Sequence, residues 1–136
     1  MQNEFSCPIR VYIEDTDAGG IVFYVNYLKY MERARTEFFR SLGFPKPAVL
    51  DEGLILVVAS ANVTYKKSAR LDEALLATAK PCKLARTYIV FEQQVIRDND
   101  ILTEGIIKVA CVEKATMRPR PIPERIMTCL HNVIEC

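Results

Sequence analysis

The sequence predicts a two-layer α+β domain in which one long helix packs against an antiparallel sheet of about five strands. An apolar repeat at spacings of three and four runs from Tyr27 to Leu42, and beyond residue 53 it gives way to alternation at period two. Only one helical pattern lies among the strands, and no G-x-G-x-x-G follows a strand. A βαβ nucleotide-binding unit is therefore disfavoured.

Taken in order, residues 7–13 read as a short first strand leading into an acidic loop. The helix pattern runs from Leu28 to Leu42. Tyr27, Met31, Ala34, Phe38 and Leu42 form its apolar stripe, Leu28, Tyr30 and Phe39 flank it, and Lys29, Glu32, Arg33, Thr36 and Arg40 lie opposite. Asn26 fits an N-cap, and Gly43 followed by Pro45 and Pro47 fits a stop. Arg35 sits at the apolar edge, where either an ion pair with Asp15 or snorkelling along the helix would accommodate it. In 54–65, Ile55, Val57, Ala59, Ala61, Val63 and Tyr65 share one parity, which predicts a long strand with one buried face. Residues 66–73 form a polar turn, and strands follow at about 74–83, 86–97 and 101–114, with Arg97 to Asp100 as a hairpin turn. Arg118-Pro119-Arg120-Pro121 falls in an extended stretch, 115–123. Pro123 then opens a short terminal helix carrying Ile126, Leu130, Val133 and Ile134. No repeat or linker divides the chain, so residues 1–136 read as one domain.

Half the residues are hydrophobic and the formal net charge is +1, so no global field recruits nucleic acid or an anionic membrane. No apolar run is long enough to span a bilayer, and the first residues lack the features of an export signal. The five cysteines are odd in number and show no C-x-x-C spacing. Neither a disulfide framework nor a zinc site is indicated, and a reduced cytoplasmic protein is expected.

Chemistry concentrates in Glu14 to Tyr27, an acidic, glycine-hinged loop that runs into the start of the helix. Backbone N–H groups there have no partner inside the helix, and a carboxylate beside such donors can act as nucleophile or base next to an oxyanion site. Asp17 lies seven residues before Tyr24, with Gly19 and Gly20 between them to fold the chain back. On composition alone, Asp15 and Asp17 fit Asx-turns or helix caps equally well. A calcium loop fails on ligand count, since Gly19 and Asn26 stand at its fifth and twelfth positions. A histidine-dependent triad has only His131 to draw on, and no G-x-S-x-G occurs.

The run Asp15-x-Asp17-x-x-Gly20-x-Val22-x-Tyr24-x-Asn26-Tyr27, followed by Glu32-Arg33-Ala34-Arg35, resembles the signature of hotdog-fold acyl-CoA thioesterases. The similar families are the 4-hydroxybenzoyl-CoA thioesterase type and the tol–pal-associated acyl-CoA thioesterases. The likeness continues through Tyr65, Ala69-Arg70-Leu71-Asp72 and Arg118-Pro119-Arg120, and so covers nearly the whole chain. It implies a hotdog fold, one central helix wrapped by a curved antiparallel sheet, with no cofactor and no metal. It also implies that Asp17 is the reacting carboxylate and that the backbone N–H of Tyr24 polarises the thioester carbonyl. Many tol–pal-associated members carry His where this chain has Tyr24, and Ser68 stands where the family often has Pro. Glu32 and Glu37 read as solvated helix charges.

Gly20, Asn26, Tyr27, Ala59 and Ser60 are the candidate substrate contacts. Lys66, Arg70, Arg86, Thr87 and Tyr88 are the candidates for meeting coenzyme A, whose phosphates need cations and donors; Lys67, Lys83, Arg118 and Arg120 are further basic groups. The expected activity is hydrolysis of acyl-CoA to free acid and coenzyme A. Acyl carrier protein as the acyl donor and a non-catalytic acyl-CoA-binding hotdog protein are the rival readings. The resemblance further implies a homo-oligomer, dimer or tetramer, with the acyl site between subunits.

Overall fold

The computed structural model describes residues 5–44, 49–51 and 53–134. Strand β1 (Phe5–Arg10) leads through a 3-10 turn (Ile13–Asp15) to helix α1 (Val25–Ser41). Strands β2 (Val49–Asp51), β3 (Leu54–Tyr65), β4 (Ala74–Leu84), β5 (Tyr88–Arg97) and β6 (Asp100–Glu113) precede helix α2 (Glu124–Ile134). The sheet order is β1-β4-β5-β6-β3-β2, antiparallel at every pairing. This is the hotdog arrangement, with α1 lying against β1, β4 and β5. Irregularities at Val58/Ser60, Pro81/Lys83 and Val95/Ile96 interrupt the ladders, and such bulges bend and twist the strands that carry them.

The apolar stripe of α1 is the face that packs. Tyr27, Tyr30, Met31, Ala34, Phe38 and Phe39 are buried, while Leu28 stays exposed. They meet the alternate residues of β4 and β5 that point inward, Leu75, Ala77, Ala79, Ile89, Phe91 and Val95. Alanines at 34, 77 and 79 remove side-chain bulk from facing surfaces, and aromatic rings fill the wider end. Ile122, Ile126 and Leu130 close the core from the C-terminal segment.

The helix ends as its composition predicts. Gly43 takes φ +99°, its N–H donates to Arg40 O (2.9 Å), and the Phe44 N–H reaches back to Phe39 O (3.1 Å), a Schellman termination. Pro45 and Pro47 lie outside the described residues. The start differs from expectation: Tyr24 occupies the N-cap and α1 begins at Val25. Asn26 is not a cap because its side chain is drawn to Asp15, an interaction across the loop that local pattern does not reveal.

Strand β3 corrects a second expectation. Ala59 is an extra residue without a partner on β6, because Val58 pairs with Val109 and Ser60 with Lys108. The pleat therefore changes phase. Leu56 and Val58 face the helix side before the bulge, and Ala61, Val63 and Tyr65 face it afterwards. Much of this face is exposed, since α1 covers the other half of the sheet. The first strand is also shifted from the expected 7–13: it begins at Phe5 and ends at Arg10, before the chain turns at Ile13. Three-residue β2 is an addition at the far edge. The hairpin at Arg97 to Asp100 forms as read, with Asp98 at φ +54°.

Arg35 does not pair with Asp15. Its Nη1 donates to Gln93 Oε1 (2.9 Å), and the buried Gln93 amide donates in turn to Met31 O (2.9 Å) and Thr78 O (2.8 Å). One glutamine thus stitches α1 to β4 and β5, and burial pulls the Arg35 pKa down.

Candidate active site

Local hydrogen bonds fold the acidic loop into a compact hook. The Asp17 N–H donates to Ile21 O (2.9 Å) and the Gly20 N–H to Asp17 O (3.1 Å), while Thr16 and Val22 pair as an isolated bridge. Gly20 takes φ +82°, a backbone region that disfavours any residue with a Cβ. Asp17 is exposed, and its Oδ1 accepts the Gly19 N–H at 2.8 Å, the Asx-turn that composition allowed. A Cβ on Gly19 would stand 3.3 Å from that same oxygen, so glycine there leaves the carboxylate its rotamer. Oδ2 has no hydrogen-bond donor among the described residues.

The chain then enters α1. Phe23 N–H donates to Asp15 O (2.9 Å) and Asn26 N–H to Phe23 O (2.8 Å), while the Tyr24 N–H has no acceptor among the described residues. It is a free donor at a helix start, where the helix dipole adds positive potential. The Tyr24 side chain is 59% exposed and lies edge-on to Tyr65, with ring centroids 5.9 Å apart. Tyr65 also lies 5.7 Å from the ring of Tyr27. Tyr65 thus stands beside Tyr24 and Tyr27, although sequence reasoning used it only as a motif residue and as a member of the alternating strand face. Its one local signal was its place as the last residue of the alternating run.

The turn after β3 braces the hook. Val22 N–H donates to Ala69 O (2.9 Å), Leu71 N–H to Gly20 O (3.3 Å), and Ala69 N–H to the Tyr27 hydroxyl (2.9 Å). Arg70 pairs with Ile21 across this seam, so its exposed side chain stands beside the Asp17 loop. Glu73 Oε1 fixes the turn by accepting the Arg70 N–H (2.7 Å) and Arg97 Nη1 (2.9 Å). Burial pushes the Glu73 pKa up, but the Arg70 amide and the Arg97 guanidinium outweigh it and hold the carboxyl below its ordinary value. A depressed carboxyl stabilises the fold above its unfolded pKa, and that stability is lost as pH falls through the folded value. Glu73→Gln is therefore expected to flatten the acid side of the melting-temperature profile below about pH 4.3, where the wild-type curve falls. Thermal melts of both proteins across that range check this, and superimposable acid limbs would contradict it.

The structure distributes the remaining candidates unevenly. Asn26 (8% exposed) and Tyr27 (3%) turn inward, committed to Asp15 and Ala69, so their polar ends hold the loop together. Ala59 and Ser60 lie at the β3 bulge, five or more residues along the strand from Tyr65, which is about 17 Å at ordinary strand rise. Beyond its short pairing with β2, the outer edge of β3 is unpaired among the described residues. A hollow of about 280 Å³ lies between the helix-facing side of β3 and β6 and the first half of α1. Val25, Leu28, Val58, Ala61 and Ile107 line it, with Lys29, Glu32 and Arg35 at the side.

The basic candidates form two groups. Lys66 and Lys67 are paired with Glu104 (3.2 Å) and Asp100 (3.3 Å), near Arg70 and the hook. Arg86, Thr87 and Tyr88 lie at the other end of β4, an eleven-residue strand of about 35 Å. There Lys108 Nζ sits 4.2 Å and Lys83 Nζ 5.5 Å from the Tyr88 ring centroid, and these cations, Lys83 first, draw the phenol pKa down. Lys108 is a basic group that sequence reasoning did not single out. It is identified only by the β5–β6 register, which sets Lys108 opposite Val90 and so diagonally across from Tyr88 on the same face.

Residues 19–104 match the family described as the thioesterase superfamily. The acyl-CoA thioesterase YbgC of Haemophilus influenzae is 38% identical over 134 residues, 98% of each chain. The acyl-CoA thioester hydrolase YbgC of Escherichia coli O6:H1 is 39% identical over 124 residues, 90% of this chain and 92% of the other. Among solved structures, the DHNA-CoA thioesterase of Staphylococcus aureus superposes with TM-score 0.85 at 25% identity, covering 97% of this chain and 89% of that one.

Proposed function

This chain belongs to the thioesterase superfamily and is a thioester hydrolase, and from that premise we propose that it cleaves acyl-CoA with Asp17 as the reacting carboxylate and the Tyr24 N–H as the carbonyl-polarising donor. The observation that carries this reading is the Tyr24 amide at the start of α1, without an acceptor among the described residues and seven residues from an exposed carboxylate with one oxygen unbonded among them.

The chemistry follows from those two groups. A thioester oxygen that accepts the Tyr24 N–H gains a donor able to stabilise the negative charge that develops as the carbon becomes tetrahedral. Asp17 then acts in one of two ways. It takes a proton from water, whose oxygen bonds to the carbonyl carbon, or its own oxygen bonds there to give a mixed anhydride that water later opens. In both cases the C–S bond breaks and coenzyme A leaves as a thiolate. A thiol pKa of about 8.5 makes that departure possible without a strong general acid, so no histidine is needed.

The hollow beside Val25 is the proposed acyl channel, since Val25 directly follows Tyr24 in the chain and the hollow offers aliphatic lining. Lys83, Arg86, Tyr88 and Lys108 are the proposed contacts for the phosphates of coenzyme A. They stand a strand's length from the Asp17 hook of the same chain, which supports a homodimer or tetramer in which one copy brings its β4–β5 turn to another copy's hook. The unpaired edge of β3 supports the same reading, because an exposed ladder is a ready surface for a second copy. Four described cysteines, all free, fit work in the reducing cytoplasm.

The direct test is kcat/KM measured on a panel of aliphatic and aromatic acyl-CoA thioesters and their acyl-carrier-protein counterparts. Preference for the coenzyme A series is the expected result, and turnover of the carrier-protein series alone would overturn it. Tyr24→Phe is expected to keep kcat within about threefold, because the amide and not the phenol is assigned the work. A hundredfold fall in that variant would show that the hydroxyl takes part.

A further inference from the structure

Asp15 is 3% exposed and no cation lies within ion-pair distance of it among the described residues. A buried carboxylate of this kind is costly unless its oxygens are satisfied by donors. Here Oδ2 accepts the Tyr12 N–H and Oδ1 accepts Asn26 Nδ2–H, each at 2.9 Å, while the Asp15 carbonyl accepts the Phe23 N–H at the same distance. One residue therefore grips the chain on both sides of Tyr24: at Phe23 through its backbone, and at Asn26 through its side chain. Two residues further along the same loop stands Asp17.

We propose that Asp15 is the positioning residue of the site, a strut that sets the Tyr24 N–H at its working place relative to Asp17 through the hydrogen bonds to Phe23 and Asn26. This rests on the roles given above to Asp17 and Tyr24. The hydrogen bond to Asn26 matters, and the negative charge of Asp15 does not. In Asp15→Asn, a flipped Asn26 amide offers Oδ1 to the new Nδ2–H, and the Tyr12 N–H keeps its acceptor. Asn26→Asp is different, because two carboxylates then face each other across a hydrogen-bond distance. Such a pair shares a proton only below a raised apparent pKa and is forced apart above it.

The groups that face Asp15 from the packed elements are Tyr30 and Arg33 of α1, Cys7 and Arg10 of β1, and Tyr12 and Glu14 beside its own turn, with Glu37 of α1 further along the same hollow. Tyr30 is fully buried, its hydroxyl has no hydrogen-bond partner of ordinary geometry among the described residues, and its pKa is driven up by burial and then by Asp15. All of these are present in every variant, so a titration that appears only with Asn26→Asp belongs to the new pair.

The experiment is steady-state kinetics of the full chain on benzoyl-CoA and octanoyl-CoA between about pH 5.5 and about pH 8.5, with thermal melts of each variant. Asn26→Asp is expected to lose about a hundredfold in kcat at the alkaline end with little change in KM. It should recover toward acid, where wild type, which needs an ionised Asp17, gains nothing. The swap Asp15→Asn with Asn26→Asp restores one donor between the two side chains and is expected to return kcat to within about tenfold of wild type across the range. A folded Asn26→Asp with the wild-type profile overturns the proposal, as does a folded swap that stays as slow as the single variant. If Asn26→Asp does not fold, the swap decides alone. Asp15→Asn as dead as Asp17→Asn would make Asp15 a reacting group and overturn it too. An active Asp17→Asn would instead sink the underlying reading, which keeps the two failures apart.

Discussion

Asp17→Asn is expected to lower kcat by about a thousandfold while leaving the affinity for acyl-CoA nearly unchanged, because the substitution removes a base or nucleophile and little else. Asparagine keeps the shape of the side chain, and its oxygen can still accept the Gly19 N–H that anchors Asp17 at 2.8 Å. The hook, with Gly20 at positive φ and the seam to Ala69 and Leu71, has no stake in the charge. Single-turnover kinetics and calorimetric titration with a slowly hydrolysed thioester separate the two effects. Hydrolysis at the wild-type rate would remove Asp17 from the mechanism, and a parallel collapse of binding would point to a structural role instead.

The largest effect on stability is expected from Phe91→Ala, at about 3–5 kcal/mol. Phe91 is fully buried, and its ring lies edge-on to Phe38 at 5.8 Å and to Phe39 at 6.0 Å, while Phe5 closes on Phe38 at 5.9 Å. These rings form the main junction between the second half of α1 and the sheet, and truncation leaves a void that rigid neighbours on several elements cannot all move to fill. For a chain of this size the loss corresponds to a fall in melting temperature of about 10–20 °C. The cluster lies toward the opposite end of α1 from Tyr24, so KM of the folded fraction should be unaffected. Urea and thermal unfolding measure the effect directly, and a shift of only a degree or two would mean that the aromatic junction is loosely packed.

What sequence alone could reveal divides along physical lines. The core face of α1 and its glycine stop were legible because helical periodicity and termination chemistry are local. The start of α1 was not, because Asn26 is claimed by Asp15, eleven residues away, and a capping residue looks the same whichever partner it has. The phase of β3 failed for a related reason. Val57-Val58-Ala59-Ser60-Ala61 carries no glycine or proline to mark the bulge, and a run of small and branched residues reads equally well in either phase. Three-residue β2 is too short to produce a period at all. For the site, the acidic loop and its glycines signalled chemistry, but only resemblance ranked Asp17 above Asp15. In the structure Asp17 is exposed with one oxygen unbonded among the described residues, whereas both oxygens of Asp15 accept hydrogen bonds. Arg35 and Gln93 show the limit from the other side, since a buried polar pair across two layers leaves no trace in spacing.

The unpaired residue at position 59 also decides which changes of length this strand can absorb. Because Val58 and Ser60 already occupy consecutive places opposite Val109 and Lys108, deleting Ala59 would straighten β3 and still leave Tyr65 on the side of Tyr24. Adding one residue between Ser60 and Tyr65 has no such outlet. It would rotate the end of the strand by half a pleat and carry Tyr65 to the opposite surface of the sheet, about 17 Å of strand away from the fault itself. The exposed rim of this molecule is therefore forgiving of a loss and intolerant of a gain.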